Sequence, residues 1–232
     1  MNLIGHYLRD FFGLFYPRLC YACNVALISN EECICSFCSH QLPETQLHQE
    51  RENKFTQIFW GRVDIETATA LFYFQKGGKV QKLMHQLKYK GKTDVGNYLG
   101  RMLGHRIRQN PLWDPVEMIV PVPMHPRKQH QRGYNQSEVI ARGISQVTGK
   151  PLITHQLIKT EKTQTQTRKA RFNRWKNVET VFRVKDENVF RSKNVLLVDD
   201  VITTGSTLEA CAQQLKAIKG TRVWMATLAM TI

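Results

Sequence analysis

The chain has 232 residues, which at roughly 150 residues per domain leaves room for one full domain and a small module but excludes two large domains. Hydrophobic residues make up 42% and charged residues 22%, proportions that exclude a disordered tail protein and a multi-span membrane protein. The formal charge of +14 is unevenly placed: residues 1–60 hold four basic and six acidic side chains, while residues 61–232 hold 29 and 13. The positive surface belongs to the second part, and it points to polyanions, either a nucleic-acid backbone or a phosphorylated substrate.

In chain order, residues 1–16 place Leu3, Ile4, Tyr7, Leu8, Phe11, Phe12 and Phe15 at helical spacings, an amphipathic stripe that ends before Pro17. Such a stripe serves a face packed on the protein's own body, and less often a membrane-surface or partner helix. The first 20 residues lack a basic start, and Arg9 and Asp10 interrupt the apolar run, so neither a secretory signal nor a transmembrane segment is expected. A reducing cytoplasm is the consistent compartment.

Five of the six cysteines lie between Cys20 and Cys38. Cys20-x-x-Cys23, eleven residues, then Cys35-x-x-Cys38 is the spacing of a four-thiolate zinc ribbon, in which two short knuckles bring thiolate pairs to one tetrahedral centre. Four thiolates leave no open coordination position, so the expected Zn²⁺ is structural. Cys33 reads as a spare thiol and His40 as a less regular substitute ligand. Residues 44–62 look like a polar connector with scattered aromatics, which places a boundary near residue 60, dividing 1–60 from 61–232.

Beyond the boundary, 66–74 reads as a strand, Gly77–Gly78 opens a helix to about Tyr89, and 93–109 carries Leu99, Met102, Leu103 and Ile107 on one helical face. Strand and helix then alternate: a strand at 116–122, a loop to Gly133, a helix at about 135–147 and a strand at 151–158. A basic stretch at 159–176 is followed by strands at 178–184 and 195–198, a helix at about 206–219 and a strand at 222–230. Apolar runs separated by helices argue for an α/β fold with a mostly parallel sheet covered on both faces.

The segment VLLVDDVITTGST (195–207) carries the most chemistry. A buried strand delivers Asp199 and Asp200 to its carboxyl end, where ligands of open α/β sheets bind. Successive N–H groups of a tight turn, with the positive end of the following helix, can cradle a phosphate. Gly205 permits the close approach, and Thr203, Thr204, Ser206 and Thr207 add hydroxyls, although Ser206 or Thr207 would equally serve as an ordinary helix cap. The two carboxylates suit paired sugar hydroxyls and a bound Mg²⁺. In the loop after the 116–122 strand, Pro121 and Pro123 disfavour helix, and His125, Arg127, Lys128, His130 and Arg132 gather groups where a diphosphate could lie.

The 13-residue string resembles the ribose-phosphate motif of the type I phosphoribosyltransferases, which bind 5-phosphoribosyl 1-diphosphate (PRPP). The PVP…RGYNQSE segment of 121–138, LKYKGK (87–92), QTQTRKARFNRWKNV (164–178) and the cysteine module are similar to the ComF family, a competence-associated branch of these enzymes. The resemblance implies a Rossmann-like core with a five-stranded parallel sheet beside the N-terminal zinc ribbon. It implies that Asp199 and Asp200 contact the ribose hydroxyls and carry the catalytic role. Thr203, Thr204, Gly205, Ser206 and Thr207 would hold the 5′-phosphate. Arg127, Lys128, Arg132 and Lys88 are the expected contacts to the diphosphate, which arrives with Mg²⁺. The implied reaction is transfer of phosphoribosyl to an unidentified nitrogen acceptor, and the alternative is a non-enzymatic, PRPP-sensing, single-stranded-DNA-binding factor working with DNA-uptake proteins. The basic stretch 159–176, with Phe172 and Trp175, suits either a flap closing over PRPP or a surface for a single strand.

Overall fold

The computed structural model describes residues 17–160 and 182–231. The expected first helix, the basic stretch from residue 161 onward and the start of the 178–184 strand lie outside the described residues. The cysteine module contributes a short helix, α1 (Ser36–His40). The connector folds into α2 (Lys54–Gln57), whose start is closed by a capping box: Asn53 Oδ1 accepts from the N–H groups of Phe55 and Thr56, and the Thr56 hydroxyl accepts from the Asn53 N–H. The aromatics scattered along this polar stretch are its anchors, since Phe55 and Phe59 are buried.

The core follows the alternating pattern: β1 (Thr67–Phe74), α3 (Lys79–Tyr89), α4 (Thr93–Arg108), β2 (Met118–Pro121), α5 (Pro126–Arg132), α6 (Gln136–Thr148), β3 (Leu157–Lys159), β4 (Phe182–Val184), β5 (Asn194–Ile202), α7 (Ser206–Lys216) and β6 (Arg222–Thr231). Four strands form a wholly parallel sheet in the order β1-β6-β5-β2. In β5, Leu196 and Val198 pack toward the cluster built on α3, α4 and α6, while Val195 and Leu197 pack toward α7. A strand buried on both faces needs apolar residues at every position, which is why these strands read as unbroken runs.

Three expectations are corrected by the structure. The expected strand over 151–158 is divided. Leu152 adds a single parallel bridge beside Ile119, and the left-handed backbone at His155 (φ 64°) then turns the chain so that β3 pairs antiparallel with β4 in a separate two-stranded sheet. The implied fifth strand of the main sheet is thus one bridge long. The expected loop between β2 and Gly133 contains α5, because Pro126 occupies its first turn, His125 Nδ1 accepts from the Arg127 N–H at 3.2 Å and Gly133 closes it at φ 84°. Finally, β5 runs past Val198 to Ile202, since its ladder with β6 continues through Asp199↔Thr227 and Ile202↔Met230.

Two glycines set how closely the helices approach. A Cβ on Gly100 of α4 would lie 2.3 Å from the Ile140 carbonyl oxygen, and one on Gly143 of α6 would lie 2.3 Å from that of Asn97. The cysteine module docks on the same side of the sheet. Ala22, Ile34, Cys38 and Leu42 share a cluster with α3 and α4, and residues 43–45 run antiparallel along the outer edge of β1, with Tyr73 N–H donating to the Pro43 carbonyl at 2.8 Å. That pairing covers a strand edge that would otherwise be open. Among the described residues, no helix is long and apolar enough to cross a membrane.

Candidate functional site

The connections diverge at β5 and β2. From β2 the chain passes through α6 to Leu152 on one side of the sheet; from β5 it passes through α7 to β6 on the other. A crevice at such a switch point is where open α/β sheets bind ligands. Asp199 and Asp200 stand there. Asp199 Oδ1 accepts from the Ser137 hydroxyl at 2.8 Å and from the Asp200 N–H at 2.8 Å, while Asp200 Oδ2 pairs with Lys88 Nζ at 2.9 Å. Burial, followed by the adjacent Asp200 charge, pushes the Asp199 carboxyl up to about 7.

The turn after β5 has the form a phosphate cradle needs. Gly205 is left-handed (φ 77°) and buried; a Cβ there would also press on Ile58 Cγ2 at 3.0 Å and on the Phe59 ring at 3.1 Å. Thr203, Thr204, Ser206 and Thr207 are exposed around it. The residue at the cap of α7 is Gly205, with no side-chain hydrogen bond, so neither Ser206 nor Thr207 is consumed as a cap. The first turn of α7 thus presents N–H groups without a side-chain cap, and the helix dipole adds a favourable field for an anion. From behind, Arg62 holds the turn: its Nη1 donates to the Thr204 carbonyl at 2.9 Å and its Nε to Glu209 Oε2 at 3.1 Å.

Of the four expected basic contacts, Lys88 sits directly on the acid pair. Arg132 lies at the end of α5 with its guanidinium 5.5 Å from the centroid of the Tyr89 ring, next to Lys88 in sequence. Arg127 and Lys128 are exposed on α5. Three further residues shape the site. The Tyr134 hydroxyl donates to the Leu87 carbonyl and Asn135 Nδ2 to that of Val122 at 2.9 Å, which ties the start of α6 to α3 and β2 and brings Ser137 to Asp199. Their signal in the sequence was the RGYNQSE segment they belong to and its place at a helix start. Beside them, Gln136 is buried and its Nε2 has no hydrogen-bond partner.

In the cysteine module, the Sγ atoms of Cys20, Cys23, Cys35 and Cys38 all lie within 4.8 Å of one another. Cys23 and Cys35 are 3.7 Å apart, close to the edge of a tetrahedron of sulfurs each about 2.3 Å from a central Zn²⁺. The Cys35 N–H donates to Cys20 Sγ at 3.3 Å and the Cys38 N–H to Cys35 Sγ at 3.4 Å, the support thiolates require. The donor set fits zinc. Cys33 turns away toward Asp94 Oδ2, 3.8 Å from its thiol, and His40 is exposed outside the cluster. For Mg²⁺, a hard cation that takes oxygen ligands, the carboxylates of Asp199 and Asp200 are a suitable donor set.

Residues 135–231 match a family described as the phosphoribosyl transferase domain. The DNA utilization protein YhgH of Escherichia coli K12 is 29% identical over 86% of this chain and 91% of its own length. Competence protein F of Haemophilus influenzae is 29% identical over 61% of this chain and 65% of its own, and competence protein ComFC of Bacillus subtilis is 23% identical over 84% and 77%. Among solved structures, a purine phosphoribosyltransferase from Pyrococcus horikoshii is similar at 19% identity and a TM-score of 0.37, over 62% of this chain and 76% of that one. Relatives of one kind run along most of the sequence, and the matched domain covers the segment that holds the acid pair: the chain is similar to the DNA-utilization and ComF competence proteins along most of its length and carries a phosphoribosyltransferase-like α/β domain.

Proposed function

We propose that the protein binds Mg²⁺–PRPP at the crevice between β5 and β2 and transfers its phosphoribosyl group to a nitrogen acceptor. The observation that carries this reading is the acid pair at the end of β5, followed directly by a left-handed glycine turn and a helix start with no side-chain cap. Asp199 and Asp200 would take the ribose hydroxyls, and Thr203 to Thr207 the 5′-phosphate. Lys88 and Arg132, with Arg127 and Lys128 of α5, would face the diphosphate. In the reaction the acceptor nitrogen forms a bond to C1 of the ribose, the bond from C1 to the diphosphate oxygen breaks, and the acceptor's proton is released. Positive charge grows on the sugar as that bond lengthens, so carboxylates beside the ribose and cations beside the leaving group lower the barrier. When bound, Mg²⁺ neutralises the departing diphosphate. Zinc at the four thiolates would be structural, within residues 1–60, leaving the chemistry to residues 61–232.

A second reading is supported by the names of the relatives and by the basic surface of residues 61–232: a PRPP-responsive, single-stranded-DNA-binding factor in DNA uptake, without transferase activity, working in the cytoplasm. Diphosphate release from Mg–PRPP, measured with and without a pool of nucleobases and small amines, separates the two. The transferase reading requires acceptor-dependent release that disappears in Asp199→Asn/Asp200→Asn. PRPP binding without release supports the second reading. Unchanged PRPP binding in the double variant removes the site assignment.

A further inference from the structure

Beside the turn after β5 lies a cavity of about 640 Å³, bordered by the segment from Arg51 to Glu66. It is separated from the turn by Phe59, buried against Gly205. Two features of its wall are unusual. Trp60 is 62% exposed, whereas Trp113 and Trp224 are each 2% exposed, so one indole has been left with its face toward solvent at the rim. At the other end, Arg51 and Arg222 share a single carboxylate: Arg222 takes both oxygens of Glu66 at 2.8 Å, and Arg51 reaches Oε2 through Nη2 alone. These three side chains together carry one positive charge, and Arg51 is itself 63% exposed, although the cavity lining as a whole sets Arg51 and Arg62 against Glu52, Asp64 and Glu66. The neighbouring Arg62 is engaged with Glu209, Thr204 and Ile58; Asp64, on the same rim, is paired with Lys216, and Glu52 also borders the cavity.

An exposed indole offers a stacking face worth about 1–3 kcal/mol to any nucleobase, and a guanidinium with unspent donors recognises a phosphate. A bare anion would make no use of Trp60, and an uncharged aromatic would make none of Arg51. We propose that this cavity binds a nucleotide, its base stacked on Trp60 and its phosphate held by Arg51. The site stands independently of the phosphoribosyl reading, and its ligand chemistry is supplied either by a free nucleotide or by one residue of an unpaired strand.

Isothermal calorimetry on the full zinc-loaded chain tests this, with dAMP, deoxyadenosine, inorganic phosphate and a short oligodeoxyadenylate as separate probes. The expected result is saturable binding of dAMP or of the oligonucleotide, weakened on the order of tenfold by Trp60→Leu and separately by Arg51→Met. Tyr89→Leu, which removes an exposed aromatic elsewhere, should leave it unchanged. Binding of dAMP identifies a free nucleotide as sufficient, and binding of the oligonucleotide alone identifies the strand as the source. The proposal is overturned if neither probe binds, if inorganic phosphate binds as tightly as dAMP, if Trp60→Leu has no effect, or if excess Mg–PRPP displaces the nucleotide, which would put it in the phosphate turn.

Discussion

The cysteine centre and the acid-pair site both gather charged atoms into a small volume, by opposite routes. Four thiols come from the short segment between Cys20 and Cys38, closed by its own turns and its own N–H···S bonds. The acid-pair site draws Lys88 from α3, Ser137 from α6 and the two carboxylates from β5. A centre closed by local chain can form wherever its segment folds; a site assembled from three elements is only as well placed as the helices that carry it. The first arrangement suits stability, the second suits chemistry on a ligand that must enter and leave.

The sharpest way to break the comparison is to remove the local centre. Cys35→Ser/Cys38→Ser should abolish stoichiometric zinc and unfold the module, because a structural site of this kind is worth roughly 10–16 kcal/mol to its own segment. Elemental analysis and the loss of a thermal transition would show it, and retained zinc would refute the ligand set. Next in size is the packing that positions the assembled site. Gly143→Ala puts a Cβ against the Asn97 carbonyl and forces α4 from α6, at a cost of about 1–3 kcal/mol or more. The melting temperature should fall while zinc content holds.

A smaller effect follows from Asp199. Its folded carboxyl titrates near 7, above the ordinary carboxylate value near 4, so the folded state holds a proton that the unfolded state gives up first. That contribution to stability is present below about pH 4 and is lost as pH rises toward 7. Asp199→Asn removes it, so the stability of the variant relative to wild type should climb between about pH 4 and 7 and then level off. Denaturant midpoints of the two proteins across that range check the sign, and parallel curves would contradict it. The mildest change is Arg62→Met, which frees the Thr204 carbonyl and should weaken Mg–PRPP binding several-fold, in keeping with about 0.5–1.5 kcal/mol for a hydrogen bond, without altering zinc content.

The sequence made most of the core legible, because buried strands and amphipathic helices each leave a pattern. The strands at 67–74 and 222–231 and the helices over 79–89, 93–108 and 136–148 fall close to where periodicity puts them. It was less informative where one residue redirects the chain. His155 adopts a left-handed turn that divides 151–158, and Pro126 starts a helix in what reads as a proline-rich loop. The connector also misleads by composition, since its polar residues conceal Phe59, which packs against the Gly205 turn, and Phe55, which stacks on Phe59.

By itself, then, the sequence determined the four-thiol spacing, the apolar strand leading to two acids, and the glycine turn after them, all of which depend on residues near one another in the chain. Only the tertiary structure decided that Lys88 neutralises Asp200, that Ser137 holds Asp199, that Arg62 supports the turn from behind and that Trp60 stays open to solvent. These pairings join residues 62 to 142 positions apart or depend on what the fold leaves uncovered, and no local pattern encodes a distance that helix packing sets.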